Sequence, residues 1–283
     1  MPLPFAVLLP LLAQVGPTGT QIQAPLDMPK RKTVVSAPAI TPPSPVAKRL
    51  GECLDLAQSD PAAAVTIATG WRAGTKGSAR VPAGHCLGLA LSAQQSWLPA
   101  EAAFLEARAD TSVTDQADRA RLGAMAANAA LAAGNADRAL TLLDTAHAEA
   151  LAAADARLAG EVAIDRARAL VALKRDSDAS AALAEARTNA PSNATGWLLS
   201  ATLLRRQGKL GEAQGLIERA AVLAPLDPDV GLEAGVIAVL GLRDEAARRS
   251  WQSVIAAAPG SDQARIAKQY LDQLGPDTSP STR

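Results

Sequence analysis

His85 and Cys86 are neighbours, and they are the one place in the 283 residues where an imidazole adjoins a thiol. A nucleophile and its base must lie within hydrogen-bond reach, about 2.6–3.2 Å. On a helix, adjacent residues point about 100° apart and do not face each other. His85 and Cys86 therefore cannot activate one another. His147 is the only other histidine, and no third ligand joins these residues into a zinc site. We expect no catalytic residue, no metal and no cofactor, so the chain reads as a non-enzyme.

Four tryptophans could stack on a ligand, but core use fits their places better. Trp197 and Trp251 fall in core columns of a repeat described below, Trp71 ends a helix facing the core, and Trp97 sits in a turn. Asn193-Ala194-Thr195 matches a glycosylation sequon, a pattern short enough to arise by chance.

The elements that carry these residues are helical by composition. The apolar set makes up 48% of the chain and aromatics only 2%. That mixture favours close-packed helices over sheets, which draw on β-branched and aromatic residues. Lysine plus arginine equal aspartate plus glutamate at 28 each. With no global positive field, neither nucleic acid nor anionic lipid is an expected partner.

The N-terminal "MPLPFAVLLPLLAQVG" carries an apolar run from Leu3 to Ala13. It is shorter than the roughly 20 residues of a stable membrane span and reads as a signal peptide over residues 1–15. Export implies a periplasmic or secreted protein, with a cytoplasmic one as the alternative. Residues 16–43 are proline-rich and aperiodic, the signature of a disordered linker. Residues 275–283 read as a disordered tail. The folded part is expected over residues 44–274.

That part has a period. Pro191, Pro225 and Pro259 are each 34 residues apart, and other columns share the register. They are Ala179, Ala213 and Ala247; Ala167, Ala201 and Gly235; Leu183, Ile217 and Trp251; and Ala186, Ala220 and Val254. Weaker copies start near Ser44 (Leu50-Gly51, Leu54, Ala63, Ile67), Val81 (Leu87-Gly88, Ala100, Phe104) and Ala120 (Ala127, Ala139, Leu143). This pattern resembles the tetratricopeptide repeat (TPR), whose signature places small residues at positions 8, 20 and 27 and proline at 32. The copy at Ala194 supplies Trp197, Ala201, Ala213, Ile217, Ala220 and Pro225, but has Ser200 at position 7 and Leu204 where the family has an aromatic.

The resemblance implies an all-α fold, a right-handed TPR solenoid of about six helix-turn-helix repeats. Positions 8 and 20 would mark the closest approach of the two helices, where a large side chain would force the axes apart. Asp60-Pro61 and Asp227-Pro228 read as helix starts, with a capping acceptor and proline at the first helical position. The last segment offers Ser261 as an N-cap and Ile266, Tyr270 and Leu274 at helical spacing. It suits a C-terminal capping helix, which a solenoid needs to cover its exposed end.

The same resemblance puts Cys53 and Cys86 on the first helices of consecutive repeats, side by side. In an oxidising compartment they could form a disulfide contributing about 4 kcal/mol in the chain-entropy model. They could equally be two buried small hydrophobes. A second class of function would use Cys86 as a thiol of lowered pKa in a redox accessory protein.

First helices line a groove in TPR proteins. Carried over by register, that groove takes His85 from the second repeat, Arg121 and Asn128 from the third, and Arg168 from the fourth. Arg205 and Arg206 come from the fifth, and Leu232, Val236, Val239 and Leu240 from the sixth. A partly basic groove running into an apolar end would suit a peptide or helix carrying carboxylates; the alternative is that these arginines are solvated surface. The chaperone-binding clamp of some relatives is not matched at position 6. The resemblance thus implies an adaptor that holds a protein segment, in the bacterial cell envelope. Self-association through the apolar sixth repeat is a third reading.

Overall fold

A computed structural model describes residues 44–275, and every structural statement below concerns them. The signal peptide, the linker and residues 276–283 of the tail lie outside the described residues. Among those residues the chain forms thirteen α-helices and no strand. They are α1 (Pro45–Ser59), α2 (Pro61–Ala73), α3 (Val81–Ala93), α4 (Trp97–Asp110), α5 (Gln116–Ala132), α6 (Ala136–Ala152) and α7 (Ala156–Ala172). Then follow α8 (Asp176–Asn189), α9 (Ala194–Arg206), α10 (Leu210–Leu223), α11 (Pro228–Leu240), α12 (Asp244–Ala257) and α13 (Asp262–Leu274). A 3-10 turn, Gly77–Arg80, precedes α3. Six antiparallel pairs and a last single helix make an all-α solenoid.

Short polar residues start the helices. The carboxylates of Asp115, Asp155 and Asp227 and the side-chain carbonyl of Asn135 each accept from a backbone N–H of the helix they open. The hydroxyls of Ser44 and Ser261 do the same for α1 and α13. Such a bond satisfies an otherwise unpaired N–H of the first turn. Helices α8, α10 and α12 end two residues before Pro191, Pro225 and Pro259, because proline disfavours the helical conformation in the residue before it. Within each pair after the first, the two helices are joined by a three-residue turn whose middle residue is left-handed. Gly134 and Gly208 fill that place at φ 82° and 76°, while Gln95, Lys174 and Leu242 adopt it near 60°.

Packing follows the small-residue columns, with one pairing the period alone does not show. Where the second helix presents Leu143, Leu183 or Ile217, the facing first helix has Ala127, Ala167 or Ala201. Where it presents an aromatic, Phe104 or Trp251, the facing residue is Gly88 or Gly235. A Cβ at either glycine would run into the ring. Large side chains on one helix are thus matched by small ones on the other, as a core packed at crystal density requires.

The 34-residue ruler fails in two places. Leu151 stands where later repeats have proline, and α6 continues through it to Ala152. With α5 and α7 also at 17 residues, both helices of the third repeat and the first helix of the fourth are about a turn longer than those that follow. The first pair is a sharper correction. Ala63 and Ile67 were expected in the core, but the buried residues of α2 are Ala64, Ala68 and Trp71, and Ile67 is 46% exposed. Asp60 alone joins α1 to α2: its N–H bonds Leu56 and its carboxylate caps Ala63. Later pairs use three connecting residues, so this tighter corner rotates the buried face by one position. Gly51, expected at the close approach, has nothing within 4 Å of where its Cβ would stand.

The thirteenth helix lies on the last pair. Ala264 and Ala267 are buried against it, and Tyr270, Leu271 and Leu274 pack around Trp251, whose ring centroid is 5.2 Å from that of Tyr270. Trp97 opens α4 instead of sitting in a turn. Trp197 is only half-buried, its ring flanked by the guanidiniums of Arg187 and Arg219.

Candidate partner-binding groove

The first helices of successive pairs lie side by side: α1 on α3, α5 on α7, α7 on α9, α9 on α11 and α11 on α13. The residues that the register assigned to a groove all belong to these first helices, α3, α5, α7, α9 and α11. On α5, Arg121 pairs with Asp118 at 2.8 Å and Asp155 at 3.4 Å. Asn128 donates to Asp165 of α7 at 2.8 Å, and Asp165 also holds Arg168. Arg205 of α9 forms a fork with Glu233 of α11, at 2.6 and 3.3 Å.

The basic stretch read from the sequence is thus mostly neutralised, by acids one turn away on the same helix (Asp118, Asp165) and by Asp155 and Glu233 of the next repeat. Asp165 and Glu233 were missed as partners, although both occupy position 6 of their repeats. The signal was a polar residue at position 9 or 12 with an acid at position 6 of the next repeat. Arg206 is the exception. It is exposed, and no acid pairs with it among the described residues.

His85 sits half-buried on α3, and its Nε2 has no hydrogen-bond partner. Burial holds its pKa below the ordinary value of 6.5, with the Asp118 carboxylate opposing. His147 is elsewhere, on α6, 2.6 Å from Glu185. Cys53 and Cys86 are joined in a disulfide between α1 and α3, with Cα atoms 6.1 Å apart, and both are buried. Cys86 therefore presents no thiol for redox or nucleophilic chemistry in this structure. Asn193, the sequon asparagine, accepts the Thr195 N–H on its side-chain oxygen and so caps α9.

Three depressions follow one another across α7, α9, α11 and α13. The first, about 180 Å³, lies between α7 and α9 and includes Arg168, Leu199, Thr202 and Arg206. The second, about 490 Å³, lies between α9 and α11, shares Arg168, Leu199 and Thr202 with the first, and adds Arg205, Leu232 and Glu233. The third, about 290 Å³, shares Val236 and Tyr270 with the second and adds Val239, Leu240 and Leu274. Leu199, Thr202 and Tyr270 are groove residues that the register argument missed. Tyr270 belongs to the capping helix, so that helix both closes the solenoid and extends the groove.

No family model and no curated protein matches the chain. Solved structures do. A thermophilic TPR protein of Thermus thermophilus, TTC0263, superposes with TM-score 0.55 at 18% identity, over 67% of this chain and 97% of that one. The apo form of the quorum sensor NprR of B. thuringiensis gives 0.57 at 16% identity, over 81% and 69%. Pseudomonas aeruginosa PilF gives 0.53 at 15% identity, over 79% and 100%. At such identities the likeness is one of fold. Together with six helix pairs, their small-residue columns and the helix that closes the stack, it makes the described chain a tetratricopeptide-repeat solenoid.

Proposed function

We propose that the protein is a non-enzymatic adaptor whose groove across α7, α9, α11 and α13 holds a segment of a partner protein. The observation that carries this reading is the run of three depressions with shared walls, chiefly apolar at the two ends and mixed in the middle one, which Arg205 and Glu233 help to line. A continuous concave strip with a few placed polar groups is what an extended segment needs. Arg205 and Glu233 fix the floor between the first helices and leave the apolar walls to the ligand.

The cell envelope is the proposed location. It is supported by the apolar N-terminal run and by the Cys53–Cys86 disulfide, since such bonds persist in oxidising compartments and are rare in the cytosol.

Affinity capture from an envelope extract tests the reading, with the full chain as bait. Thr202→Tyr fills the wall shared by two depressions, and Leu240→Glu places a charge at the apolar end. Glu218→Lys, on the exposed side of α10, is the control. A partner held by the native chain and the control, and lost with both groove variants, supports the adaptor. The same partners on all four baits would remove it. Arg205→Glu is unsuitable, because it would set a second carboxylate against Glu233.

A further inference from the structure

The depression between α7 and α9 is unlike the other two. Its floor is aliphatic, formed by Val171, Leu183, Leu199 and Leu203, and two guanidiniums stand in its wall. At about 180 Å³ it is comparable to the cavity of about 150 Å³ that admits a benzene-sized molecule, so one leucine-sized side chain fits. Arg168 already holds Asp165. Arg206 has no acidic partner among the described residues, whereas Arg121 and Arg205 on the same face are paired. An uncompensated guanidinium beside an apolar slot favours a ligand carboxylate, because partial exclusion of water strengthens the charge-assisted bond.

The neighbouring depression carries Asp227, Asp229 and Glu233. Those acids repel a second carboxylate there, so the preference for an acidic residue is confined to the α7–α9 end. In an extended segment, residues two apart share a face. A side chain seated in the slot therefore has its same-face neighbour at position +2 or −2, while adjacent residues point away. Because the depressions share walls, a segment anchored here continues into the next.

We propose that the α7–α9 depression is an anchoring subsite for an internal partner segment with an aliphatic residue and, two positions away, Asp or Glu. The aliphatic side chain sits on Val171, Leu199 and Leu203, and the carboxylate bonds Arg206. This rests on the reading of the groove as a protein-binding surface.

Random dodecapeptides displayed internally on phage, selected on the immobilised full chain, supply the probe. A second library displays the same length with a free C-terminus. The expected result is enrichment, from the internal library, of an aliphatic residue and Asp or Glu spaced two apart, in one order or the other. A synthetic peptide of that sequence should lose about tenfold in affinity on Asp→Asn against the native chain. Against Arg206→Gln it should lose less than about twofold, and Arg206→Glu should select Lys or Arg in place of the acid. Arg206 is exposed and unpaired, so these variants should melt as the native chain does.

Enrichment of apolar peptides without an acid preference would overturn this subsite and leave the adaptor reading standing. Enrichment only from the free-C-terminus library, abolished by amidation, would replace the side-chain carboxylate with a terminal one and likewise overturn it. Enrichment of nothing would sink the groove reading and this inference together.

Discussion

Gly235 and Trp251 show how closely single residues are set against each other. The indole fills the space a Cβ at position 235 would need, and its Nε1 donates to the Leu232 carbonyl, so it cannot easily move aside. Gly235→Ala should cost about 1–3 kcal/mol by overpacking. In a Trp251→Leu background most of that penalty should vanish, giving a coupling of at least about 1 kcal/mol in a double-mutant cycle of denaturant melts. Additive effects would mean the contact is not what excludes a methyl group there.

His85 gives a second prediction at this scale. Its pKa is lowered by burial, with Asp118 opposing. As pH falls through about 6.5, the unfolded chain therefore takes up the proton before the folded chain does. Folding stability should decline on acidification across that window, and His85→Gln should flatten the decline. Stability measured in urea at several pH values checks this; an equal slope in both proteins would contradict it.

At the scale of elements, the first helix pair stands apart. Its buried residues are mostly alanines, with Trp71 the one large exception, and its corner is a single residue. The disulfide ties α1 to α3 across a separation of 33 residues. Replacing both cysteines with serine should lower stability by about 4 kcal/mol in the chain-entropy estimate. Hydrogen exchange should show the loss of protection concentrated in α1 and α2. A uniform loss across α5–α13 would mean the bond does more than hold the first pair.

The later elements were legible because their punctuation is local. Pro191, Pro225 and Pro259, the capping Asp227 and Ser261, and Gly208 each act on the backbone within a few residues. The rotated face of α2 was not legible, because a corner two residues shorter leaves no mark in composition. Nor were the Asn128–Asp165 and Arg205–Glu233 bonds, which join first helices of adjacent repeats. An acid at position 6 of the next repeat marks both, but which side chain comes opposite it is settled only once the helices stack. Arg206 could be named from its register, but its lack of a partner could be seen only after its neighbours were placed.

For the described stack as a whole, almost every contact joins a helix to one of its next few neighbours along the chain. Stability in such an array is close to a sum of pair and interface contributions, so its two ends need not be equally strong. Stretched between its termini, the stack should yield one helix pair at a time. At the N-terminal side the load passes through a covalent bond, and the stretch between Cys53 and Cys86 cannot lengthen. At the C-terminal side only α13 resists, through Ala264, Ala267 and the side chains around Trp251. Unravelling under force should therefore begin at α13 and travel backwards, making the molecule a spring anchored at one end.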